Sequence, residues 1–230
     1  MNFFYAPEDN WNSDRSIVEI EGQEAIHMTK VLRYKIGDEL FVADGLGNHS
    51  RCSVNEISKK SVVAKVLETK SELEPAIKKV IAFGAIKKRD RLEFAIEKAV
   101  ELDAWEICIF DADHSERSRL NEERLLTQIV SAFKQSGRYY LPKLIVKSSL
   151  DKVLDHYGDY AFSMAYLGDE GAQKPIQLTE ANNLLLVGPE GGFSKREANL
   201  VKEKGGSFFT LGKNRLRSET AVAAFLSQYL

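Results

Sequence analysis

The chain has 230 residues, of which 43% are hydrophobic, and its 32 lysines and arginines against 34 aspartates and glutamates give a formal net charge of -2. That length suits one large or two modest domains with a well-buried core, and the near-neutral balance lacks the basic excess that is typical of nucleic-acid-binding proteins. No apolar stretch reaches membrane-spanning length and no signal-like segment opens the chain, so we expect a cytoplasmic protein that binds no membrane.

The cysteines and histidines predict no metal centre. Cys52 and Cys108 lie far apart within predicted strands, so we expect two buried, reduced thiols instead of a disulfide or a metal pair. The four histidines have no ligand spacing. We therefore expect a protein that works without metal.

The first 74 residues are predicted to form short strands joined by turns, a pattern typical of a small β-barrel. The predicted strands are residues 3–5, 17–20, 40–43, 49–57 and 62–68. Between the second and third strands, residues 24–33 have apolar side chains at helical spacing, at positions 25, 28, 31 and 32, and Lys30, Arg33 and Lys35 form a basic edge. Contact with RNA and ordinary solvation explain that edge equally well.

A polar stretch at residues 72–79 marks the predicted domain boundary, which gives one domain at residues 1–74 and another at 75–230. Beyond it, apolar runs of strand length alternate with helical patterns. The predicted strands are residues 80–86, 105–110, 160–165, 184–187 and 207–211, and the predicted helices are 90–102 and 122–135. Such alternation is typical of a parallel α/β sheet.

Residues 184–197 have the sequence LLLVGPEGGFSKRE, which predicts a buried strand, a glycine loop and a helix that begins with a capping box of Ser194 and Glu197. Loops at the carboxyl ends of strands are where open α/β sheets bind ligands. A tight structural turn is the alternative. The carboxylate of Glu190 would repel a phosphate, and neither glycine pattern of nucleotide-binding loops is present, so a cationic or polar ligand fits better.

Residues 211–221, LGKNRLRSETA, repeat the pattern of strand, glycine loop and capped helix, with Ser218 as the predicted N-cap. We expect the two glycine loops to converge. Many basic residues lie near the ends of the predicted elements, where they form either a positive rim for a polyanion or ordinary solvated loops. They are Lys87, Lys88, Arg89, Arg91, Arg117, Arg119, Lys134, Arg138, Lys213, Arg215 and Arg217.

Five motifs in order resemble those of the ribosomal RNA small-subunit methyltransferase E family, the uracil-N3 methyltransferases of 16S rRNA in the SPOUT superfamily. The resemblance covers nearly the whole chain and departs from the family at Asp103, where glycine is usual, and at Lys134, where glutamate is favoured. The motifs are His27 with Val31-Leu32-Arg33 and Gly37-Asp38, Lys98-Ala99 with Glu101-Leu102, Gln135-Ser136-Gly137-Arg138 with Pro142, residues 188–193 and residues 211–221.

The resemblance implies a PUA-like β-barrel domain at the amino terminus and a carboxy-terminal SPOUT domain, an α/β fold with a trefoil knot. Periodicity alone predicts an unknotted doubly wound sheet, since true knots are nearly absent among folds. The implied cofactor is S-adenosylmethionine, and the implied partners are 16S rRNA in the small ribosomal subunit and a second copy of the chain. Residues 220–230, which are apolar on nearly every side, are the expected contact with that copy.

The resemblance also implies site residues. Positions that match the cofactor loops are Leu167, Gly168, Val187, Gly188, Pro189, Glu190, Gly191, Gly192, Leu211, Gly212, Leu216, Arg217, Glu219 and Thr220. Positions expected to bind RNA are Lys30, Arg33, Arg89 and Arg138. For the loss of the uracil N3 proton, a base or an electrostatic stabiliser is needed, and the candidates are Glu190, Arg217 and Glu219.

Two other functions stay open at this point. A SPOUT enzyme of the same architecture would methylate another position, such as a ribose 2′-oxygen. A ribosome-assembly factor would bind RNA through the barrel and use the second domain as a docking platform without catalysis. Cofactor binding excludes the assembly factor, and the identity of the modified nucleoside decides between the two enzymes.

Overall fold

The computed structural model describes residues 3–116, 120–166 and 180–229. The chain divides into two compact units. The first unit contains Met1–Glu74 together with Phe133–Leu141, and the second contains Pro75–Ala132 and Pro142–Leu230. Residues 133–141 include the end of a helix and the segment after it, and no sequence pattern assigns them to the first unit. Their place there was not expected.

The first unit is built on a curled five-stranded sheet. Its strands are β1 (Phe3–Tyr5), β2 (Ile17–Glu21), β3 (Glu39–Ala43), β4 (Asn48–Ile57) and β5 (Ser61–Ser71). Their order is β1-β3-β4-β5-β2, with β1 parallel to β3 and the other pairs antiparallel. Two bulges interrupt the register of β4 with β5, and bulges of this kind bend a sheet.

The predicted helix of the first unit has two parts. Helix α1 (Gly22–Ile26) continues into a π-helical turn, His27–Val31, in which the Leu32 amide donates to the His27 carbonyl at 3.0 Å. Val31 and Leu32 are among the apolar positions that predicted an amphipathic helix here, but both are exposed, Val31 by 63% and Leu32 by 36%. The wider turn rotates both residues away from the face that Ala25 buries.

The second unit is a six-stranded sheet with helices. Its strands are β6 (Lys79–Gly84), β7 (Glu106–Phe110), β8 (Lys143–Lys147), β9 (Ala161–Ala165), β10 (Asn183–Val187) and β11 (Ser207–Phe209). Its helices are α2 (Arg89–Glu101), α3 (Glu122–Ser136, which ends in the first unit), α4 (Leu150–His156), α5 (Lys195–Glu203) and α6 (Ser218–Leu226). Every pair of neighbouring strands is parallel, in the order β11-β9-β10-β6-β7-β8, which confirms the predicted parallel sheet.

Strands β6 and β10 lie at the centre of this sheet and are buried along their length, as their continuous apolar sequences predict. Strand β8 and helix α4 were not predicted, and strand β11 ends at Phe209 instead of Leu211. Cys52 and Cys108 are free and buried, which confirms the expectation of two buried, reduced thiols, and burial raises the pKa of each thiol to about 12.

Helix α6 corrects the predicted N-cap. It begins at Ser218, so the N-cap is Arg217, which has extended backbone and makes no side-chain cap bond. The large apolar side chains of the helix are already buried within this chain, since α6 packs on α2 and on the central strands. A partner is therefore not needed to cover them, and the sides that stay more open carry Thr220, Ala223 and Ala224. No helix within the described ranges is long and apolar enough to cross a membrane.

Candidate cofactor site

A cavity of about 620 Å³ opens at the carboxyl ends of strands β9, β10 and β11. The last residue of each strand, Ala165, Val187 and Phe209, lies in its wall. Parallel strands bring their carboxyl ends to one edge of a sheet, and this edge is where open α/β sheets bind ligands. The cavity thus occupies the place that the two glycine loops predicted.

Many of the expected cofactor residues line this cavity. They are Val187, Gly188, Pro189, Glu190, Gly192, Leu211, Leu216 and Arg217. Four others are not part of its wall: Gly191 and Gly212 belong to the two loops, and Glu219 and Thr220 lie in the first turn of helix α6. The remaining two, Leu167 and Gly168, lie outside the described residues, as do Arg117 and Arg119 of the basic clusters.

The loop after β10 depends on two close backbone approaches. A Cβ built on Gly84, at the end of the neighbouring strand β6, would lie 2.5 Å from Pro189 Cδ and 2.8 Å from the Pro189 nitrogen. A Cβ on Gly188 would lie 3.0 Å from the carbonyl carbon of Gly192, which itself has a φ of 71°. Only glycine fits these positions without moving the loop. Gly84 therefore allows Pro189, and with it the glycine loop, to pack against the end of strand β6.

Gly191 is packed against a second loop of the same unit. A Cβ at Gly191 would lie 2.8 Å from His114 Cβ and 3.2 Å from the His114 carbonyl oxygen. The ring nitrogen Nδ1 of His114 also lies 3.3 Å from the Gly191 carbonyl oxygen. Gly191 therefore supports the cavity wall from behind, and this explains why the residue is in the loop but not on the cavity.

A buried carboxylate fastens the end of the glycine loop. Glu197 is fully buried, and its two oxygens accept from the backbone amides of Asp113 at 3.1 Å and Ser194 at 2.9 Å. The Ser194 hydroxyl in turn accepts from the Glu197 amide at 3.1 Å, which completes the predicted capping box of helix α5. One side chain thus caps a helix and ties it to the loop after β7.

Asp113 reinforces the same junction. Its carboxylate accepts from the Arg196 guanidinium at 2.7 and 2.9 Å and from the Ser194 hydroxyl. These hydrogen bonds, with Arg196 the larger cause, lower the pKa of Asp113 to about 2. Arg196 also pairs with Asp151 on helix α4 at 3.0 Å. The carboxylate is therefore ionised at any physiological pH and holds the two loops together.

The two glycine loops meet. The Arg215 guanidinium of the second loop donates to the Glu190 carbonyl oxygen of the first at 3.0 Å. The Glu190 carboxylate accepts from the Lys87 amide at 3.2 Å. Both loops are therefore connected directly, and Glu190 is held from its backbone and from its side chain.

The three catalytic candidates have different environments. Glu190 and Arg217 are exposed and lie on the cavity wall. Glu219 is only 7% exposed, and its Oε1 lies 3.6 Å from Nε of Arg91, which also lines the cavity. The other oxygen, Oε2, is buried and has no hydrogen-bond partner among the described residues. A buried carboxylate oxygen without a donor is costly, so a ligand that donates there would bind favourably.

The expected RNA-binding residues belong to both units. Lys30 and Arg33 are exposed at the π-helical turn of the first unit, where Arg33 has a φ of 59°. Arg138 is half-buried and also belongs to the first unit. Arg89, at the start of helix α2 in the second unit, is exposed and lies 3.6 Å from Glu93. All four carry charge at or near the surface of their unit.

Several cavity residues were not predicted. Those at strand ends, such as Ala165 with Tyr166 and Phe209 with Thr210, would have been found by applying the carboxyl-end rule to every predicted strand. Arg91 was named above only as one of the basic residues that form either a positive rim or solvated loops, because a basic residue near the start of a helix has the same pattern whether it faces solvent or a cavity.

The comparisons with known proteins agree with this geometry. A family model described as an RNA methyltransferase domain matches residues 73–229, and one described as an RNA methyltransferase PUA domain matches residues 20–67. The Ribosomal RNA small subunit methyltransferase E of Bacillus subtilis (strain 168) is 30% identical over 224 residues, which cover 90% of this chain and 87% of that protein.

Two crystal structures are similar over nearly the full length. A probable rRNA-methyltransferase from Porphyromonas gingivalis has a TM-score of 0.89 and 30% identity, covering 100% of this chain and 97% of that one. A Ribosomal RNA small subunit methyltransferase E from Neisseria gonorrhoeae, bound to S-adenosyl methionine, has a TM-score of 0.80 and 26% identity. The match covers 99% of this chain and 95% of that one. The expected α/β fold, a PUA-like domain followed by a SPOUT domain, is confirmed. The chain belongs to the RNA methyltransferase family that includes the ribosomal RNA small subunit methyltransferase E proteins.

Proposed function

We propose that this protein transfers a methyl group from S-adenosylmethionine to N3 of a uridine in 16S ribosomal RNA. The observation that carries the proposal is the cavity of about 620 Å³ between two connected glycine loops at the carboxyl edge of the parallel sheet. The bound S-adenosyl methionine of the Neisseria gonorrhoeae relative supports the same cofactor here.

The residues at the cavity fit this cofactor. Its sulfonium and ammonium groups are cationic, and the cavity has the carboxylate of Glu190 in its wall and that of Glu219 next to it. The unpartnered Oε2 of Glu219 is an acceptor for which the cofactor or the base can supply a donor. Leu211, Leu216 and Phe193 provide an apolar wall for the adenine ring.

When bound, the cofactor supplies an electrophilic methyl group. The chain's own residues must align the uracil and take up its N3 proton. The candidates to accept that proton are Glu190, on the cavity wall, and Glu219, which lies beside the wall residue Arg91. Arg217, exposed at the cavity, is the candidate that stabilises the developing uracil anion or holds the flanking phosphate.

The variants Glu190→Gln and Glu219→Gln distinguish which of the two carboxylates accepts the proton. The proton acceptor should lose single-turnover rate while it keeps cofactor affinity, whereas a carboxylate that holds the cofactor should lose affinity first. If both variants keep the wild-type rate, neither glutamate is the acceptor.

Calorimetry and nucleoside analysis test the function itself. The purified protein should bind S-adenosylmethionine without metal or RNA, and ribosomal RNA from cells that lack the protein should lose one N3-methyluridine by mass spectrometry. Loss of a ribose methyl group would make it a SPOUT enzyme of another specificity. An unchanged RNA together with no cofactor binding would support the assembly factor instead.

We propose that Lys30, Arg33 and Arg138 contact phosphates of the RNA. RNA affinity falls with salt, and the slope of log affinity against log salt concentration measures the number of phosphate contacts. Charge reversal of Lys30 together with Arg33, or of Arg138 alone, should reduce that slope by roughly 0.7 for each lost contact. Lys152→Glu is the control, because Lys152 is exposed on helix α4 and belongs to neither cluster. Slopes equal to those of wild type would make these residues ordinary solvated side chains.

We also propose an isologous homodimer whose active site borrows residues from its partner. The open side of helix α6 carries the small residues Thr220, Ala223 and Ala224, which permit close approach of a second helix. Mixing Arg138→Ala with Glu219→Ala subunits should restore one intact site per hybrid dimer and part of the activity. Light scattering that shows a monomer at micromolar concentration would remove the dimer, and a dimer without complementation would confine each site to one subunit.

The domain limits belong to the same proposal. We place an RNA-binding domain at residues 1–74 and the methyltransferase domain at 75–230, and we place the protein in the cytoplasm with its ribosomal substrate. The matches of the two family models, to residues 20–67 and 73–229, support this division. Limited proteolysis should cut near residue 74 if the limits are correct.

A further inference from the structure

A second cavity, of about 310 Å³, lies entirely within the first unit and has no part in the proposed chemistry. Its wall combines aromatic rings, an imidazole, two cations and the carboxylate-bearing residue Glu68, and this composition differs from the apolar core of the unit. The side chains that carry the argument are Phe3, Phe41, His49, Arg51, Lys70 and Tyr139.

The register of the sheet explains why these groups share one face. Phe3 of β1 lies opposite Phe41 of β3, which lies opposite Arg51 of β4, which lies opposite Glu68 of β5. Directly opposite residues point to the same face of a sheet, so the four form one row across four strands. The residues that alternate with them face the core: Phe4, Val42 and Cys52. The row therefore lies on the outer face.

Residues 133–141 cover only part of this face. The Phe133 ring packs on the rings of Phe3 and Tyr5, with centroids 6.1 and 5.7 Å apart. These three aromatic rings therefore have a structural role in attaching residues 133–141 to the sheet. Tyr139 stacks on His49 with ring centroids 4.0 Å apart and planes 15° from parallel. The cavity is the space left beside this pair, with Phe41 in its wall.

The charges at the cavity favour a flat polar ligand over a simple anion. Arg51 already lies between two carboxylates, 3.0 Å from Glu39 and 3.7 Å from Glu68, so it is largely neutralised. Lys70 is exposed and forms no ion pair with any residue in the described part of the chain. The Nδ1 atom of His49 is buried without a hydrogen-bond partner among the described residues.

We propose that this cavity binds one unpaired nucleobase of the substrate RNA, stacked on the aromatic wall, with its polar edge at His49 Nδ1 and its phosphate at Lys70. The inference rests on the proposed function, because it assumes an RNA substrate. Proteins that read single-stranded RNA splay out bases and stack them on aromatic side chains. The volume is at the lower end of small-molecule sites, which begin at roughly 300 Å³, and suits one base.

A matched pair of variants separates ring stacking from packing. Tyr139→Leu removes the ring and keeps apolar volume, and it should raise the KM for RNA roughly 5- to 150-fold, the range that base stacking on an aromatic ring supplies. Tyr139→Phe keeps the ring and should stay close to the wild-type KM. Leu67→Ala, an exposed apolar truncation on the same sheet, is the control. A wild-type KM in a Tyr139→Leu protein that melts like wild type would overturn the proposal.

Titration of the wild-type protein tests the site without any variant. Uridine and adenosine monophosphates at millimolar concentration should shift the NMR signals of the His49 and Tyr139 rings, and inorganic phosphate alone should not. Unshifted rings, or equal shifts with phosphate, would overturn the nucleobase site. A protein that shows these shifts but neither binds S-adenosylmethionine nor methylates RNA would refute the proposed function while leaving the cavity assignment intact.

Discussion

Replacing Gly191 with alanine tests whether the cavity wall depends on its contact with the loop after β7. The new Cβ would lie 2.8 Å from His114 Cβ, which is close to the backbone and cannot rotate away. Overpacking of this kind typically costs about 1–3 kcal/mol, and the glycine loop must move toward the cavity to relieve it. Glu190 moves with it, so the hydrogen bond from Arg215 at 3.0 Å is lost or stretched. If the whole cost appears in cofactor binding, the Kd for S-adenosylmethionine rises about 5- to 150-fold.

Calorimetric titration of the wild type, Gly191→Ala and Gly158→Ala measures this effect. Gly158 is the matched control, because its added Cβ would meet nothing closer than 3.8 Å and its φ is not positive. Gly158→Ala should therefore keep the wild-type Kd. If Gly191→Ala binds the cofactor as tightly as wild type and unfolds at the same urea concentration, the loop contact has no role in shaping the site, and our account of the wall is wrong.

Three further predictions concern stability. Glu197→Gln turns an amide donor toward the backbone amide of Ser194 or Asp113, and urea titration should show a loss of about 1.5–3 kcal/mol. The pKa of Asp113 is lower in the folded protein than its ordinary value of 3.8, so Asp113 stabilises the fold above pH 3.8, and this stabilisation is lost as the pH falls through about 2. Asp113→Asn should therefore abolish the dependence of the melting temperature on pH in this range. Asp103 has a φ of 64°, so Asp103→Gly should relieve backbone strain and stabilise the protein by about 1 kcal/mol in thermal unfolding. The small contribution of the exposed ion pair with Lys79 is lost in this variant and reduces that gain.

The cavity beside the glycine loops was predictable because its signal is local. The apolar run before Gly188 and the capping box after it define a strand end and a helix start, and the carboxyl-end rule then places a ligand there. Gly84 gave no such signal, since a glycine at the end of a buried strand is informative only once Pro189 is known to pack on it. The role of Gly84 comes from a distant part of the chain, and a local pattern does not contain it.

The first unit shows the same limit. The strands of this unit were predicted from local patterns, but the outer cavity needs the register of four strands and the return of residues 133–141 to this unit. No pattern within one segment contains that information. The π-helical turn was missed for a related reason, because the apolar spacing of residues 24–33 fits an ordinary helix, and a change of hydrogen bonding by one residue moved Val31 to the surface.

The double role of Glu197 has a consequence for motion. Its carboxylate serves the amides of Ser194 and Asp113 at once, so separating the two loops also removes the cap from helix α5. Release of the glycine loop and fraying of the first turn of α5 should therefore be one cooperative opening. Amide hydrogens of residues 113 and 194–198 should exchange with a common opening free energy, and a ligand held by the glycine loop should slow all of them together, including those it does not touch.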